Sequence, residues 1–190
     1  MREDIYRCMY FLTFGLRRGE DNELRQSAIT FLDDNLSMAI LNTQRTRNYT
    51  EGKAVKTRSS NRLAIFDEIG TQYLRDQIEY AEMIKANHRQ ILHKDDFIFI
   101  NSDGKPFPEK TLNDAMNKIS KLMKVPVRVT SHMFRHTFTT QAIASNGVNP
   151  LQLKTVLEHA DLSMTDHYTH GSIETAKNVI EATRNMRLLD

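Results

Sequence analysis

The sequence predicts an α+β fold, mainly helical, with a small antiparallel sheet. Apolar residues recur at helical spacing near both ends and through the middle of the chain, while two short apolar runs flank an Asp-Asp-Asn turn around residue 34. A chain of 190 residues with 39% hydrophobic content is long enough to bury one core, so a single domain over 1–190 is expected.

Taken in order, Ile5, Cys8, Met9 and Leu12 fall at i, i+3, i+4 and i+7, which predicts a first helix buried along one face and ending at Gly15. Ala28 to Leu32 and Leu36 to Leu41 enclose Asp33-Asp34-Asn35 as a hairpin, and a third strand is expected near Leu63 to Phe66. A long helix from Asp67 to about Ile84 turns Ile69, Tyr73, Ile78 and Ala81 inward and an acidic face outward. Asp96 to Ile100 reads as a short strand closed by the turn Asn101-Ser102-Asp103-Gly104. Leu112, Ala115, Met116, Ile119, Leu122 and Met123 mark a helix from about Thr111, and 125–129 is a linker. Ser131 is the expected N-cap of the next helix, which stops near Gly147, and Asn149-Pro150 opens another with Asn as cap and Pro at its first position. Ile173, Ala176, Val179 and Ile180 predict a tail helix within 171–190. The methionine-rich stripes suit core packing rather than a cofactor box.

Composition excludes several classes. The single cysteine, Cys8, cannot form an internal disulfide and sits on the buried face of the first helix, so a reducing cytoplasm is the expected compartment. No apolar run approaches the ~20 residues of a membrane span, the start MREDIY is no signal peptide, and no repeat or low-complexity segment is present. Charge is segregated. Between 44 and 62, Arg45, Arg47, Lys53, Lys56, Arg58 and Arg62 face Glu51 alone, a local +5 in a chain of formal net charge +2, so the remainder carries -3. Residues 104–136 add Lys105, Lys110, Lys118, Lys121, Lys124, Arg128 and Arg135 against Glu109 and Asp114. A basic cleft with an acidic back predicts double-stranded DNA as partner, with Arg45, Arg47, Lys53, Arg58 and Arg62 as candidate phosphate contacts.

The chemistry is concentrated in SHMFRHTF and VLEHADLSMTDHYTH, where His132, Arg135, His159 and Tyr168 follow one another. A tyrosine hydroxyl attacks phosphorus only if the charge growing on the non-bridging oxygens is offset, and an arginine flanked by two imidazoles supplies the donors. His132 opens a helix and Arg135 lies one turn further on, so both can meet one anion, in the first turn where the helix dipole favours phosphate. This stretch resembles the tyrosine recombinase (phage integrase) family, whose pattern is His, two residues, Arg, then a Gly-His pair and a Tyr nine residues beyond. His170 completes the family's Tyr-x-His ending.

The resemblance extends upstream. FLTFGLRRGE resembles the family's first arginine motif, with Arg17 and Glu20 in its places; Glu20 is read as the group that orients Arg17, and Arg18 as a salt-bridged surface residue. VKTRSSNRLAI places Lys56 in the Lys-Thr run that the family carries on a β-hairpin turn, as candidate general acid for the departing 5′ oxygen, with Lys53 as competitor. The resemblance implies the tyrosine recombinase catalytic-domain fold, its small sheet at one edge, and six catalytic positions: Arg17, Lys56, His132, Arg135, His159 and Tyr168. It implies no cofactor and no metal. His136, beside His132, is read as supporting.

Phe14, Phe134 and Glu158 depart from the family pattern, where Thr, Leu and Gly are usual; Glu158 bears on the geometry of the loop before His159. Only sixteen residues precede Arg17, so the N-terminal DNA-binding domain usual in the family is expected to be absent. The isolated domain is then expected to be a monomer, and the full-length protein a tetramer on DNA. The tail helix, by the resemblance, packs on a neighbouring protomer. Rival classes are a DNA-binding module without catalysis, a topoisomerase-like relaxer of the same chemistry, and a metal-dependent hydrolase built on His132 and His136 at i, i+4. The last lacks the glutamate of a zincin-type motif.

Overall fold

Helix α1 (Glu3–Phe11) begins with two acidic residues where the helix amino end carries partial positive charge, and its last turn, Cys8, Met9, Tyr10 and Phe11, is buried on every side. The computed structural model describes residues 2–41, 43–46, 49–54, 62–124, 126–145, 148–149, 153, 156–157 and 170–184, with backbone only at 43–46, 49–54 and 170–172. A 3₁₀ turn, Leu12–Phe14, tightens the helix end, and Gly15 leaves it with φ of 77°. A β-carbon there would lie 2.8 Å from Phe138 Cδ1, so only glycine combines this left-handed turn with so close an approach.

The expected hairpin is present as β1 (Ile29–Phe31) and β2 (Ser37–Leu41), with Ile29 opposite Ala39. β5 (Arg62–Phe66) completes an antiparallel sheet of order β1-β2-β5, with Ala39 opposite Ala64. Between β2 and β5 the basic segment forms a separate two-stranded hairpin, β3 (Thr43–Thr46) and β4 (Tyr49–Ala54), with an irregularity between Gln44 and Thr46. Threonine in both strands and Tyr49 in β4 favour the extended backbone. Lys53 lies in β4 opposite Gln44; Lys56 follows the strand, outside the described residues.

Asp67 caps α3 (Glu68–Asn87), its side chain accepting from the Gly70 N–H at 3.0 Å. Leu74, Ile78 and Ala81 turn inward, Ile69 and Tyr73 sit at the rim, and Glu68, Glu79 and Glu82 are exposed, as the acidic outer face requires. Phe66 packs edge-on against Phe11 and Phe14 at 5.1 and 5.2 Å, joining sheet to first helix.

Residues 96–100 are not a strand. Phe97 and Ile100 make only isolated bridges, to Arg25 and Pro106. Residues 97–100 are all buried, and the Ile98 carbonyl accepts from the Gln77 side chain at 2.9 Å instead of a neighbouring strand. The following turn does form: the Asn101 side chain accepts from the N–H groups of Asp103 and Lys105, each at 3.0 Å.

α4 (Lys110–Leu122) packs on α1, and α5 (Ser131–Ala144) packs on the 3₁₀ turn. Ser131 is not the N-cap of α5. Thr130 holds that place, extended, and its side chain makes no capping hydrogen bond. α5 ends at Ala144 with Ser145 extended behind it, short of the expected Gly147, and the Leu153 N–H donates to the Asn149 carbonyl at 3.0 Å where the sequence predicts a new helix.

The tail helix α6 (His170–Ala182) packs on β5 of its own chain, burying Ala176, Val179 and Ile180. All five residues of β5 are buried; successive strand side chains point to opposite faces, so both faces are covered. The apolar strip expected to meet a neighbouring protomer is thus part of this chain's own core.

Candidate active site

Arg17 is the N-cap residue of α2 (Arg18–Asn22), and Glu20 reaches back to it twice. Glu20 Oε2 accepts from the Arg17 backbone N–H at 2.6 Å, and Oε1 accepts from Arg17 Nη1 at 3.0 Å. This is the orienting contact expected of Glu20. The Arg17 side chain remains 38% exposed while Glu20 is 1% exposed, so the carboxylate is an interior anchor for a cation that faces outward. Burial alone would raise the Glu20 carboxyl; the charge and hydrogen bonds of Arg62, with the N–H and charge of Arg17, overcome it and hold the group at about 2.

Arg135 comes in from α5. Its Nη1 donates to the Gly15 carbonyl and its Nη2 to the Leu157 carbonyl, both at 2.7 Å. The first arginine motif, α5 and the chain two residues before His159 are thereby joined through one guanidinium. His132 is exposed one turn earlier on α5.

Arg17, His132 and Arg135 line one cleft of ≈ 460 Å³, with Arg18, Arg128, Asn113 and the amino end of α5 at Thr130 and Ser131. Without a side-chain cap, the first-turn N–H groups of α5 point their partial positive charge at this space. Glu109 is the carboxylate among the lining residues, and it is held by Arg18 at 2.6 Å, the ion pair expected for Arg18. A second groove of the same volume, lined by Asn117, Ser120, Lys121, Lys124 and Val127, shares Arg128 with the first. An anion in the cleft would meet cations from three separate stretches of chain.

A family model, the phage integrase family, matches residues 4–174 of the chain. The chain belongs to the phage integrase family. Integrase relatives include a tyrosine recombinase of Agathobacter rectalis, 28% identical over 53% of this chain and 30% of the relative, and tyrosine recombinase XerC of Listeria innocua, 31% identical over 67% and 40%. The chain therefore spans well under half the length of these relatives. Among solved structures, the Tn1549 transposon integrase in complex with transposon right end DNA is 24% identical with a TM-score of 0.66, covering 94% of this chain and 58% of that one. XerA recombinase is 17% identical with a TM-score of 0.55, over 100% and 65%. The integrase catalytic-domain fold, mainly helical with its small antiparallel sheet, is thereby shown.

Of the integrase positions read from sequence, Arg17, Glu20, His132 and Arg135 are brought together. Lys56, His159 and Tyr168 lie outside the described residues, as do Arg47, Arg58 and Glu158; Arg45 and Lys53 are described by backbone alone, in β3 and β4. His136 is exposed on α5. Among the described residues, no three His, Cys, Asp or Glu side chains group as metal ligands.

Arg62 is a correction. Expected to contact DNA, it is 1% exposed, and its guanidinium is engaged by Glu20, Gly15 and Val156. It opens β5, whose two faces are covered, and a cation there is tolerated because Glu20 neutralises it. Arg18 and Arg128 are cleft residues that the motifs did not single out; the only sequence signal for Arg128 was the basic excess over 104–136.

Proposed function

We propose that this chain is the catalytic domain of a site-specific DNA recombinase, cutting and rejoining strands through a 3′-phosphotyrosine on Tyr168. The observation that carries the reading is the convergence of Arg17, His132 and Arg135 on one cleft at the amino end of α5. Cations and amides so placed suit the negative charge of a pentacovalent phosphorus, and they do so without a metal.

The Tyr168 hydroxyl oxygen attacks the scissile phosphorus and gives up its proton, with His132 as candidate acceptor. The bond from phosphorus to the 5′ oxygen breaks, the electron pair leaves on that oxygen, and Lys56, or Lys53, protonates it. Arg17 and Arg135 hold the non-bridging oxygens, and His132 and His159 complete the donor set. Rejoining runs the steps backwards, with the 5′ hydroxyl of another strand attacking the phosphotyrosine. Double-stranded DNA is the partner, and strand exchange requires four such sites on two duplexes.

A nicked suicide duplex tests the reading, because loss of the short 5′ strand traps protein on DNA. The wild-type chain is expected to form an adduct that survives denaturant and persists in excess chelator, and Tyr168→Phe to bind without forming one. Arg135→Ala should slow trapping by roughly a hundredfold to a thousandfold, as loss of one preorganised donor does. An adduct in Tyr168→Phe, or none with the wild type, overturns the proposal.

A further inference from the structure

Arg62 is tied to the candidate site through all three of its guanidinium nitrogens, which leaves none for the DNA surface. Its Nε donates to Glu20 Oε1 at 3.1 Å and its Nη2 to Glu20 Oε2 at 2.5 Å, a two-pronged pair. Nη2 also donates to the Gly15 carbonyl at 3.0 Å, and Nη1 to the Val156 carbonyl at 3.3 Å. Every acceptor lies close to a cleft residue. Gly15 is two residues before Arg17, Glu20 grips Arg17 directly, and Val156 precedes Leu157, whose carbonyl binds Arg135.

Packing alone does not account for this arrangement. A buried ion pair contributes little net stability over an apolar pair of the same shape, because both charges lose their water. The pair does supply a fixed, fully ionised carboxylate behind a half-exposed arginine. We propose that Arg62 is a positioning residue for strand cleavage: it keeps Glu20 as the anion that holds the Arg17 guanidinium in the cleft, and ties the Arg17 loop to the segment gripped by Arg135. This rests on the recombinase reading above.

Among the described side chains, the charged groups facing Glu20 are Arg62 from β5, Arg17 from its own turn and Asp21 beside it; Cys8 of α1 faces Asp21. With Arg62 gone, Glu20 keeps one cation that is itself partly in water, and its burial favours the protonated form. A neutral Glu20 releases Arg17. Cleavage then acquires a dependence on pH that the wild type lacks.

The test has two arms on the full chain, with folding checked by thermal melts. In carbon-13 NMR of the Glu20 carboxyl, the wild type is expected to stay ionised down to strong acid and Arg62→Met to titrate well above it. In the trapping assay, the rate of Arg62→Met relative to wild type should fall by about tenfold or more from pH 8 to pH 5.5, an appreciable part of the loss expected for one preorganised donor. Glu20→Gln in the same background should flatten that ratio, because any pH dependence arising outside Glu20 is common to both proteins and divides out. Arg62→Lys, which keeps a charge, should hold Glu20 ionised and restore a flat ratio; it also serves if Arg62→Met does not fold. The proposal is overturned if Glu20 titrates in a folded Arg62→Met as it does in the wild type, or if Arg62→Lys and Arg62→Met move Glu20 alike. Failure of the wild type to trap DNA would sink the recombinase reading instead, while the NMR arm still decides what Arg62 does to Glu20.

Discussion

Arg62 and Arg135 donate to the same atom, the carbonyl oxygen of Gly15, at 3.0 and 2.7 Å. One arginine is buried in β5 and the other lines the cleft from α5, so this single carbonyl ties the sheet to the helix just two residues ahead of Arg17. Gly15→Ala strikes that point in two ways: it forces a side chain into the left-handed region and drives its β-carbon to 2.8 Å from Phe138 Cδ1 and 3.1 Å from Leu157 Cδ2. A loss of about 1–3 kcal/mol in urea unfolding is expected, with slower trapping under conditions where the variant is still folded. A variant within about 0.5 kcal/mol of wild type would show that the turn accommodates a side chain.

Neighbouring carboxyls on α2 have opposite fates, and stability should reveal it. The Glu20 carboxyl, at about 2 against an ordinary 4.5, contributes stability that is present above pH 4.5 and is lost as pH falls toward 2. Asp21 is the reverse: burial pushes its carboxyl well above 3.8, the Glu20 charge adds to this, and the Cys8 hydrogen bond opposes it. Its contribution is full below pH 3.8 and is lost as pH rises through the raised value, so at neutral pH it is a liability, with Oδ1 lacking a hydrogen-bond partner among the described residues. Melting temperatures across pH should show Glu20→Gln destabilised by on the order of 3 kcal/mol at pH 7, a deficit that shrinks in acid. Asp21→Asn should be more stable than wild type at pH 7 by about 1 kcal/mol, losing the advantage below pH 4. Destabilisation by Asp21→Asn at pH 7 would mean that the charged form is accommodated.

What was legible in the sequence were features carried by local spacing. The first helix, the Asp33–Asn35 hairpin and the long acidic-backed helix follow from apolar period and turn chemistry, and His132 with Arg135 follows from i, i+3 on one helix. The misreadings came from contacts distant along the chain. Arg62 sits in a basic run and reads as a phosphate contact until Glu20, 42 residues earlier, is brought against it. The run 96–100 reads as a strand because it is apolar, yet its backbone groups are met by Gln77 and Leu24 rather than by a ladder. Arg18 and Arg128 reach one cleft only through the packing of α4 on α1 and of α5 on the 3₁₀ turn.

Arg128 forms the shared wall of the cleft and the Lys121–Lys124 groove, which makes it the junction of a continuous cationic track. If a DNA strand follows that track, every phosphate left without its cation takes about 0.9 off the slope of log affinity against log salt. Arg128→Ala and Lys121→Ala are each expected to lower the slope by about that amount on duplexes of any sequence, and Lys85→Ala, whose ammonium is 3.6 Å from Asp96, to leave it unchanged. A slope unaltered by Arg128→Ala would place the strand elsewhere.

The general acid can be assigned by chemistry rather than by binding. Lys53 lies within β4, opposite Gln44, while Lys56 comes two residues after the strand's last residue, Ala54, and lies outside the described residues. Either ammonium, with an ordinary pKa of ~10.4, can protonate a departing 5′ alkoxide. Replacing the 5′ oxygen with sulfur removes the need, because a thiolate leaves without a proton. The sulfur substrate should therefore restore trapping largely in Lys56→Ala and not in Arg135→Ala, whose defect lies in unbalanced charge on the non-bridging oxygens. Rescue of Lys53→Ala with none of Lys56→Ala would move the role into the strand, to the residue opposite Gln44; rescue of neither would mean that neither lysine is the general acid.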